Sequence, residues 1–287
     1  KADIPVERPA GALAGRGGIA VRLQPRIADG LAGVREYMSL YPYGCLEQKI
    51  SKAVALRDKA LWQERMRELP AYLDGEGLLK YFPRMRTGSD VLTSYVMAVA
   101  QEAGYEIPPV LRDRMSEGLA GFVEGRIRRA SDLATADLAI RKVAAVEALS
   151  RYGKARAALL SSVAVEPNLW PTSAVIDWIG VLKRTADIPD RAKKLAAAQQ
   201  VLRSRLNLQG TAMGFSTERA DGLWWLMVSP DVNAVRALLV VTDLEAWKED
   251  APRIARGALG RMRQGHWDTT TANAWGTLAF EKFSAAF

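Results

Sequence analysis

Residues 41–48, which read YPYGCLEQ, contain the side chains with the clearest chemical potential in this chain. Proline and glycine punctuate the segment just before a predicted helix, so we expect Cys45 near a helix N-terminus, where backbone N–H groups favour its thiolate. Gln48 follows three residues later, so both side chains can lie on one side of the first helical turn. A thiolate beside a carboxamide can attack the carbonyl and expel ammonia. The product would be an internal thioester, an activated acyl group held by the protein's own backbone.

Three neighbours could assist or protect such a bond. Glu47 is an adjacent carboxyl that could move protons during closure of the thioester. Tyr41 and Tyr43 are aromatic side chains that could shield the carbonyl from water. Without its flanking residues, Cys-x-x-Gln is a weak pattern, because a cysteine near a helix start more often packs as a small hydrophobic residue. The flanking sequence therefore has to decide between chemistry and packing.

The chain has one cysteine and one histidine, and this limits the other chemistries. Cys45 has no partner for an internal disulfide, and with only His266 available we expect no metal site. A cysteine–histidine catalytic pair would require these two distant residues to meet in the fold. No motif in the sequence points to a cofactor, so none is expected.

The formal net charge of +8 is spread along the chain. Its densest cluster, Arg126, Arg128 and Arg129, has no aromatic platform beside it, so we expect a solvated basic surface and no nucleic-acid binding. No apolar run approaches the ~20 residues of a membrane-spanning helix. We therefore expect no direct membrane insertion by this segment.

Residues 1–26 and 27–287 differ in predicted structure. Positions 1–17 are rich in Gly, Ala and Pro, and residues 19–23 alternate between apolar and other side chains, which predicts a strand. No second strand is predicted, so we expect 1–26 to be an extended lead-in and strand from an adjoining β domain. From residue 27 the periodicity is helical. Helices are predicted at 27–40, 45–65, 91–103, 132–152, 155–164, 172–185, 190–205, 247–262 and 268–283, behind Pro108-Pro109, and behind Asp231 as an N-cap.

One kind of glycine-containing turn recurs between pairs of predicted helices. It reads DGEGL at 74–78, MGFST at 213–217 and GHWDT at 265–269. Glycine allows the tight bend, and in the last two turns an aromatic side chain can fill the space between neighbouring hairpins. Gly214 and Gly265 are 51 positions apart, about the length of one helical hairpin with its turns. A repeat of this length predicts helical hairpins stacked in an arc or a closed ring. An irregular all-α domain with glycine-rich loops is the alternative.

The segment YPYGCLEQ resembles the thioester signature of bacterial α2-macroglobulins. It is also similar to the GCGEQ motif of animal macroglobulins and complement components, with Leu46 in place of a glycine, as bacterial members commonly have it. Residues 265–275, GHWDTTTANAW, resemble the turn and start of the family's last helix. The predicted strand at 19–23, followed by Gly30-Leu31, resembles the passage from a neighbouring β domain.

The resemblance implies an all-α fold, an α/α toroid of about six helical hairpins preceded by a short extended segment. It implies a thioester between Cys45 and Gln48, shielded by neighbouring domains of the same parent chain until a target protease cuts a bait region. The acyl group of Gln48 then passes to a lysine amine of the protease, with Cys45 as the leaving group. The event happens once per molecule, so the protein is a protease inhibitor and not an enzyme. The family implies a periplasmic location, the parent being either free or a membrane-anchored lipoprotein.

Some complement components carry a downstream histidine that redirects the acyl group to hydroxyls. The corresponding stretch, Ser161 to Pro171, has no histidine, so amines are the expected targets. His266 lies much later, in a Gly–Trp turn, and as a lone histidine beside an aromatic it is expected to be a packed or capping residue.

Two other function classes remain open from the sequence. A toroidal glycosidase would need paired carboxylates in its central cavity, and the candidates are Asp132 with Asp137 and Asp74 with Glu76. Asp132 is more simply explained as an N-cap, and Asp74 and Glu76 as turn residues. The second alternative is a non-covalent binding module whose thioester is vestigial, although Cys45, Glu47 and Gln48 are all retained.

Overall fold

The computed structural model describes residues 31–133, 135–163, 166–216 and 223–287, together with residues 7, 11, 13 and 15. Helices dominate these residues, and the predicted all-α class is confirmed. The α-helices are α1 Ala32–Leu40, α2 Leu46–Ala55, α3 Lys59–Glu68, α4 Asp90–Ala103, α5 Pro109–Val123, α6 Leu138–Ser150, α7 Thr172–Arg184, α8 Arg191–Ser204, α9 Pro230–Val241, α10 Ala251–Leu259 and α11 Thr270–Ala286. The predicted strand at 19–23 and the boundary between 1–26 and 27–287 lie outside the described residues.

Within the described chain, six helices form a closed inner ring. Helices α2, α4, α6, α7, α9 and α11 each pack against the next, and α11 packs back against α2. The remaining helices pack against this ring: α1 on α2 and α11, α3 on α2, α5 on α4 and α6, α8 on α7, and α10 on α9. A 3₁₀ helix, Ala157–Ser162, stands before α7 where an outer helix would be expected. The chain therefore alternates between outer and inner positions, as an α/α toroid requires.

The burial of the two kinds of helix follows from their positions. In the inner helix α7 every residue from Thr172 to Leu182 is buried, whereas in the outer helix α8 the buried residues are Ala198 and Leu202. A helix that is enclosed on all sides needs apolar or small side chains around its whole circumference. The outer helices bury one stripe only. The hydrophobic core thus lies between the two layers and around the ring.

A contact between two glycines joins the first outer helix to the last turn and so brings the two ends of the ring together. Gly33 in α1 lies against Gly265 in the turn between α10 and α11, and a Cβ atom placed on Gly33 would be 2.6 Å from the carbonyl oxygen of Gly265. Gly265 itself has a positive φ of 84°, which glycine adopts without strain. Only small residues allow the backbones of the first helix and the last turn to approach this closely.

The other two turns of the sequence repeat pack in an equivalent way. Each lies against a glycine of the next outer helix: Glu76 against Gly118 of α5, and Met213 against Gly257 of α10. The three segments thus share one recurring contact, in which their backbone lies against a glycine of an outer helix, although Met213 belongs to a β-strand and not to a turn. The third turn also contributes the predicted aromatic plug, because Trp267 is fully buried and packs against Gly276 of α11.

The structure corrects the expectation that no strand follows residue 23. Strands β1 Leu206–Gln209 and β2 Ala212–Phe215 form an antiparallel hairpin whose chain reversal is at 210–211. Residues 213–215 of the second predicted turn therefore lie in a strand, and the prediction of a turn there is wrong. Each strand has four residues and neither has a fully buried side chain. A strand this short, without a buried face, leaves no clear period-two pattern in the sequence.

Several helix boundaries also differ from the prediction. The predicted helix 45–65 is broken at Arg57, whose φ is +55°, and restarts behind Asp58, whose side chain accepts from Leu61 N at 2.9 Å. Ser229, and not Asp231, is the N-cap of α9; its Oγ accepts from Val232 N at 3.1 Å. Helix α6 begins after Asp137, and the helix predicted at 155–164 is replaced by a 3₁₀ helix at Ala157–Ser162.

Candidate functional site

The YPYGCLEQ segment connects α1 to the first turn of the inner helix α2. Residues 41–44 form no regular structure, and Cys45 is the N-cap of α2, with φ −69° and ψ 166°. The next residue, Leu46, is buried in the core and donates its backbone N–H to the carbonyl of Tyr81 at 3.0 Å. This anchor fixes the start of the helix and therefore the position of the cysteine.

Cys45 and Gln48 form a reciprocal cap at this helix start. The backbone N–H of Cys45 donates to Oε1 of Gln48 at 3.0 Å, and the backbone N–H of Gln48 donates to the sulfur of Cys45. The arrangement is a capping box in which cysteine takes the place of serine or threonine. It brings the sulfur and the carboxamide together on the first turn. The structure thus places side by side the two residues that the sequence analysis paired.

The hydrogen bonds of the Gln48 carboxamide suit attack on its carbonyl carbon. A backbone N–H of Cys45 already points at Oε1, where negative charge would develop in a tetrahedral intermediate. The amide nitrogen, Nε2, donates to the phenol oxygen of Tyr41 at 3.4 Å. The carbonyl oxygen therefore accepts from an N–H group, and the nitrogen that would leave as ammonia donates to a phenol oxygen.

The sulfur of Cys45 is less acidic than its position at a helix start suggests. Burial raises the pKa of the Cys45 thiol and Glu47 raises it further, whereas hydrogen bonds from the backbone around Gln48 lower it. The backbone N–H groups favour the thiolate as expected, but burial is the larger effect, so the pKa of the thiol is raised overall. The helix N–H groups act on Cys45, but its half-buried position outweighs them.

Glu47 connects α2 with the beginning of α11. Its Oε1 accepts hydrogen bonds from Ser51 Oγ at 2.6 Å and from Thr270 Oγ1 at 2.8 Å. The Ser51 hydroxyl also meets the phenol of Tyr95 at 2.5 Å. Burial raises the pKa of the Glu47 carboxyl, and the two hydroxyl donors lower it by a smaller amount. The carboxyl next to the reactive pair is thus fixed in place by hydroxyl groups.

Tyr41 and Tyr43 belong to a row of aromatic rings beside the site. The rings of Tyr37 and Tyr41 are 5.5 Å apart and those of Tyr41 and Tyr43 are 5.6 Å apart, both edge to face. Tyr41 is partly buried and contacts Gln48, whereas 69% of Tyr43 is exposed. Tyr41 therefore covers the carboxamide, and Tyr43 presents an apolar face to the surroundings.

At the other end of this row, the ring of His266 stacks on Tyr37 with centroids 3.8 Å apart. Its Nδ1 lies 2.7 Å from the carbonyl oxygen of Trp267, so Nδ1 carries the proton and donates it. Both contacts agree with the packed role expected for this histidine.

Gln48 opens onto a cleft of about 290 Å³. One wall is formed by Tyr41 and Glu47, and the opposite walls come from the segment before α9 and from the start of α11. These opposite walls consist of Trp224, Met227, Val228 and Ser229, and of Asp268, Thr269, Thr270 and Thr271. The carboxamide therefore lies at an accessible surface site and not in the core.

The residues that complete this cleft could not be related to Gln48 from the sequence. Residues 224–229 and 268–271 lie far from Gln48 in the chain, and closure of the ring brings them to it. A polar signal was present in the run of Asp and Thr at 268–271, but it was interpreted only as a turn and a helix start. Without the ring closure, nothing in the sequence relates this run to Gln48.

The carboxylates proposed for a glycosidase have structural roles. Asp74 accepts from the backbone N–H groups of Glu76, Leu78 and Gly88 and pairs with Arg129 at 2.7 Å. Asp132 lies in an exposed turn and Asp137 occupies the N-cap position of α6. Neither pair lines the cavity between the inner helices.

The centre of the ring has buried carboxylates of its own. Glu147 is bound by Arg151 at 2.8 Å and by Arg184 at 3.0 Å, and Asp177 is bound by Arg236 at 2.5 Å. Burial disfavours the charge of Glu147, but these arginines hold its pKa down at about 2. The cavity beside them has a volume of about 70 Å³, whereas small-molecule sites usually occupy roughly 300–1,000 Å³. A sugar ring does not fit there.

In the described part of the chain, no three His, Cys, Asp or Glu side chains are grouped so that they could hold a metal ion. Across the same residues, no helix has the length and apolar character needed to cross a membrane.

No protein-family model and no curated protein matches the chain. Among solved structures it is similar to native E. coli α2-macroglobulin, with 18% identity and a TM-score of 0.63 over 88% of this chain and 17% of that protein. It is similar to Salmonella α2-macroglobulin reacted with methylamine, with 20% identity and a TM-score of 0.62 over the same shares. It is also similar to E. coli α2-macroglobulin activated by porcine elastase, with 18% identity and a TM-score of 0.60 over 85% of this chain and 23% of that one.

These likenesses concern the fold. The chain has the fold of a segment of the bacterial α2-macroglobulins and spans less than a quarter of the length of these three structures. The resemblance stated from the YPYGCLEQ signature is confirmed at this level.

Proposed function

We propose that this chain is the thioester domain of a bacterial α2-macroglobulin, a periplasmic protease inhibitor that captures its targets covalently. The observation that carries the proposal is the reciprocal cap between Cys45 and Gln48 at the start of α2. Its support is the shared fold, together with the signature around these residues. The neighbours are α2-macroglobulins, of which some were activated by trypsin or elastase or reacted with methylamine.

Closure of the thioester follows from the geometry of the cap. The Cys45 sulfur attacks the carbonyl carbon of Gln48, and the Cys45 backbone N–H stabilises the oxygen as it gains charge. The C–N bond then breaks, and the amide nitrogen leaves as ammonia after it receives the proton of the thiol. Glu47, held beside the pair by two hydroxyls, could relay that proton. The products are a thioester and one ammonia.

Capture of a protease uses the stored acyl group once. A lysine amine of the target attacks the Gln48 carbonyl carbon, the C–S bond breaks, and Cys45 leaves as a thiol. The new bond is an isopeptide between residue 48 and the protease. Until bait cleavage, neighbouring domains of the parent chain cover the cleft beside Tyr41 and Tyr43. The exposed face of Tyr43 is suited to such an interface.

The alternative is a non-covalent binding domain with a vestigial thioester. Such a domain would have no need to keep the sulfur and the carboxamide in reciprocal contact. Here both partners are retained and hydrogen-bonded to each other's backbone, so the observations favour a working thioester.

Intact mass of the full-length polypeptide that carries this domain tests the proposal. We expect the wild type to be lighter than its sequence mass by one ammonia and to gain one methylamine on incubation. The Cys45→Ala variant should have its sequence mass and should not change with methylamine. A wild-type protein at its sequence mass, without reactivity, would contradict the proposal and support the vestigial alternative.

A further inference from the structure

The cleft in front of Gln48 has a pronounced chemical bias. Its polar wall contains two carboxylates, Glu47 and Asp268, and its described lining contains no lysine or arginine. Hydroxyl groups of Ser229, Thr269, Thr270 and Thr271 surround the carboxylates. Two aromatic rings, Tyr41 and Trp224, flank the opening, and 75% of Trp224 is exposed. Carboxylates and hydroxyls accept hydrogen bonds from ammonium groups, and aromatic faces attract cations.

The two carboxylates are not equally available. Glu47 is fixed by the hydroxyls of Ser51 and Thr270, at 2.6 and 2.8 Å. The side chain of Asp268 accepts a long hydrogen bond from Ser229 Oγ at 3.4 Å, and its carboxyl also lies within hydrogen-bonding reach of the Asp231 carboxyl. Asp268 is therefore the carboxylate of this cleft that hydroxyl groups hold less tightly.

The backbone of Asp268 is fixed by a hydrogen bond to Asp231. Asp231 in the first turn of α9 accepts from Asp268 N at 3.0 Å with one oxygen and from Arg261 Nε at 2.6 Å with the other. Arg261 thus pairs directly with Asp231, and its charge also acts on Asp268. Asp268 borders both the Gln48 cleft and a second cavity of about 500 Å³ that Arg261, Arg263 and His266 line.

The charges around Asp268 increase its basicity. Burial raises the pKa of the Asp268 carboxyl, the nearby Asp231 raises it further, and Ser229 and Arg261 lower it by less. Glu47 faces the same cleft from α2, and Asp268 in turn raises the pKa of the Tyr37 phenol on α1. A carboxylate in this setting is a better proton acceptor than one in water.

We propose that Asp268 receives the attacking amine in this cleft and removes its extra proton. The proposal rests on the proposed function, because it assigns a role in acyl transfer from Gln48. A lysine side chain arrives as an ammonium ion, which has no lone pair and cannot attack. The Asp268 carboxylate binds that ion and takes one proton, which leaves a neutral amine beside the acyl carbon.

The transfer then balances without any other reagent. The amine nitrogen bonds to the carbonyl carbon of residue 48, and the C–S bond breaks with its electron pair moving to sulfur. The amine loses its second proton to the sulfur of Cys45, which leaves as a thiol. The proton held by Asp268 is released to water. The residue thus makes the site selective for cationic primary amines over neutral nucleophiles.

A purely structural role for Asp268 predicts a different outcome. The residue precedes Thr269, the N-cap of α11, where a negative charge also stabilises the helix dipole. Loss of that effect would weaken the fold or slow thioester cleavage by all nucleophiles to the same extent. A role in proton removal affects only nucleophiles that arrive protonated. Methylamine is protonated at neutral pH and hydroxylamine is not, so comparing them separates a structural role from a role in proton removal.

The test measures thioester cleavage in the full-length polypeptide, as release of the Cys45 thiol, at neutral pH. The variants are Asp268→Asn, Asp268→Glu and, as a matched control, Asp113→Asn on the outer helix α5, where Asp113 is about half exposed. We expect Asp268→Asn to slow cleavage by methylamine by about 100-fold, the scale of general base catalysis, and to leave cleavage by hydroxylamine within about twofold. Asp268→Glu should restore most of the methylamine rate, and the control should match the wild type.

Three results would overturn the inference, and they can be distinguished from failure of the proposed function. Equal slowing of both nucleophiles would assign Asp268 a structural role. Unchanged rates would exclude it from the reaction, and loss of the thioester in Asp268→Asn alone would assign it to closure. Absence of a thioester in the wild type, read from its intact mass, would overturn the proposed function and this inference together.

Discussion

The backbone N–H of Cys45 lies 3.0 Å from Oε1 of Gln48, and this one hydrogen bond serves both the fold and the proposed chemistry. It satisfies an N–H group that a helix start would otherwise leave unpaired. It also polarises the carbonyl that the neighbouring sulfur would attack. Because the same contacts begin α2 and orient the reactive pair, the site can be tested by variants that separate capping from chemistry.

Replacing Cys45 by alanine removes both the nucleophile and one acceptor of the cap. We expect conjugation to methylamine to be abolished and the free energy of unfolding to fall by about 1 kcal/mol, the usual cost of losing an N-cap. Cys45→Ser keeps a cap acceptor, so it should retain the stability of the wild type and still fail to conjugate. Urea denaturation and mass spectrometry measure the two effects. A conjugating alanine variant would exclude Cys45 as the acyl carrier.

Glu47 should make the stability of the fold depend on pH. Burial raises the pKa of this carboxyl in the folded state above its ordinary value of 4.5, so folding binds the protonated form more strongly. Its contribution to stability is therefore complete below the unfolded pKa and is lost as the pH rises through the folded pKa. Glu47→Gln keeps an oxygen that accepts from Ser51 and Thr270 and cannot ionise.

We accordingly expect Glu47→Gln to be more stable than the wild type at neutral pH, and this advantage to disappear in mildly acidic buffer. Thermal unfolding of both proteins across this range is the measurement. Glu64→Gln, on the exposed side of α3, serves as a control and should show no such pH-dependent difference. A difference of the opposite sign would show that the hydroxyl donors outweigh the burial.

Most of the fold could be predicted from the sequence because its helices carry local signals. Pro109 at the first position predicts α5, and the spacing of apolar residues predicts α9, without any tertiary information. The break at Arg57 could not be predicted, because a positive φ at a non-glycine residue is imposed by the packing of α2 against α3. Helix starts were misplaced where two capping residues compete, as Ser229 and Asp231 do before α9.

The pairing of Cys45 with Gln48 could be predicted from the sequence, and the position of Asp268 in the same cleft could not. Cys45 and Gln48 are three residues apart, so local helix geometry relates them. Asp268 reaches the same cleft only because the last helix packs back on α2. The effect of the backbone N–H groups on the pKa of Cys45 could be predicted from one helical turn, but the larger effect of burial depends on the whole fold and could not.

Closure of the ring can be tested at Gly33. A Cβ atom at this position would lie 2.6 Å from the carbonyl oxygen of Gly265, so Gly33→Ala must push apart the first helix and the last turn. We expect the free energy of unfolding to fall by about 1–3 kcal/mol, as for other overpacked sites. Gly75→Ala is the matched control, because no atom lies within 4 Å of its added Cβ, and it should change stability by no more than about 0.5 kcal/mol.

The last prediction concerns the 287-residue chain on its own. A thioester persists only where water is kept from its carbonyl, and here the cover is one-sided. Tyr41 contacts the carboxamide of Gln48, but 69% of Tyr43 is exposed and the cleft in front of Gln48 is open. An aromatic ring excludes water only when it packs against another surface. In the proposed parent protein, that surface belongs to a neighbouring domain.

We therefore expect the isolated chain to have a free thiol at Cys45, with residue 48 either an unreacted glutamine or a hydrolysed glutamate. Maleimide titration should detect one thiol per chain, and peptide mass should distinguish the two forms of residue 48. Because burial raises the pKa of Cys45, alkylation should be slow at neutral pH and accelerate as the pH rises above the range of ordinary thiols. If the chain instead shows no free thiol, and a covalent link between Cys45 and Gln48 persists for days in buffer, the domain shelters its own thioester. Protection by neighbouring domains, and its release by a protease, would then have to be abandoned as the mechanism.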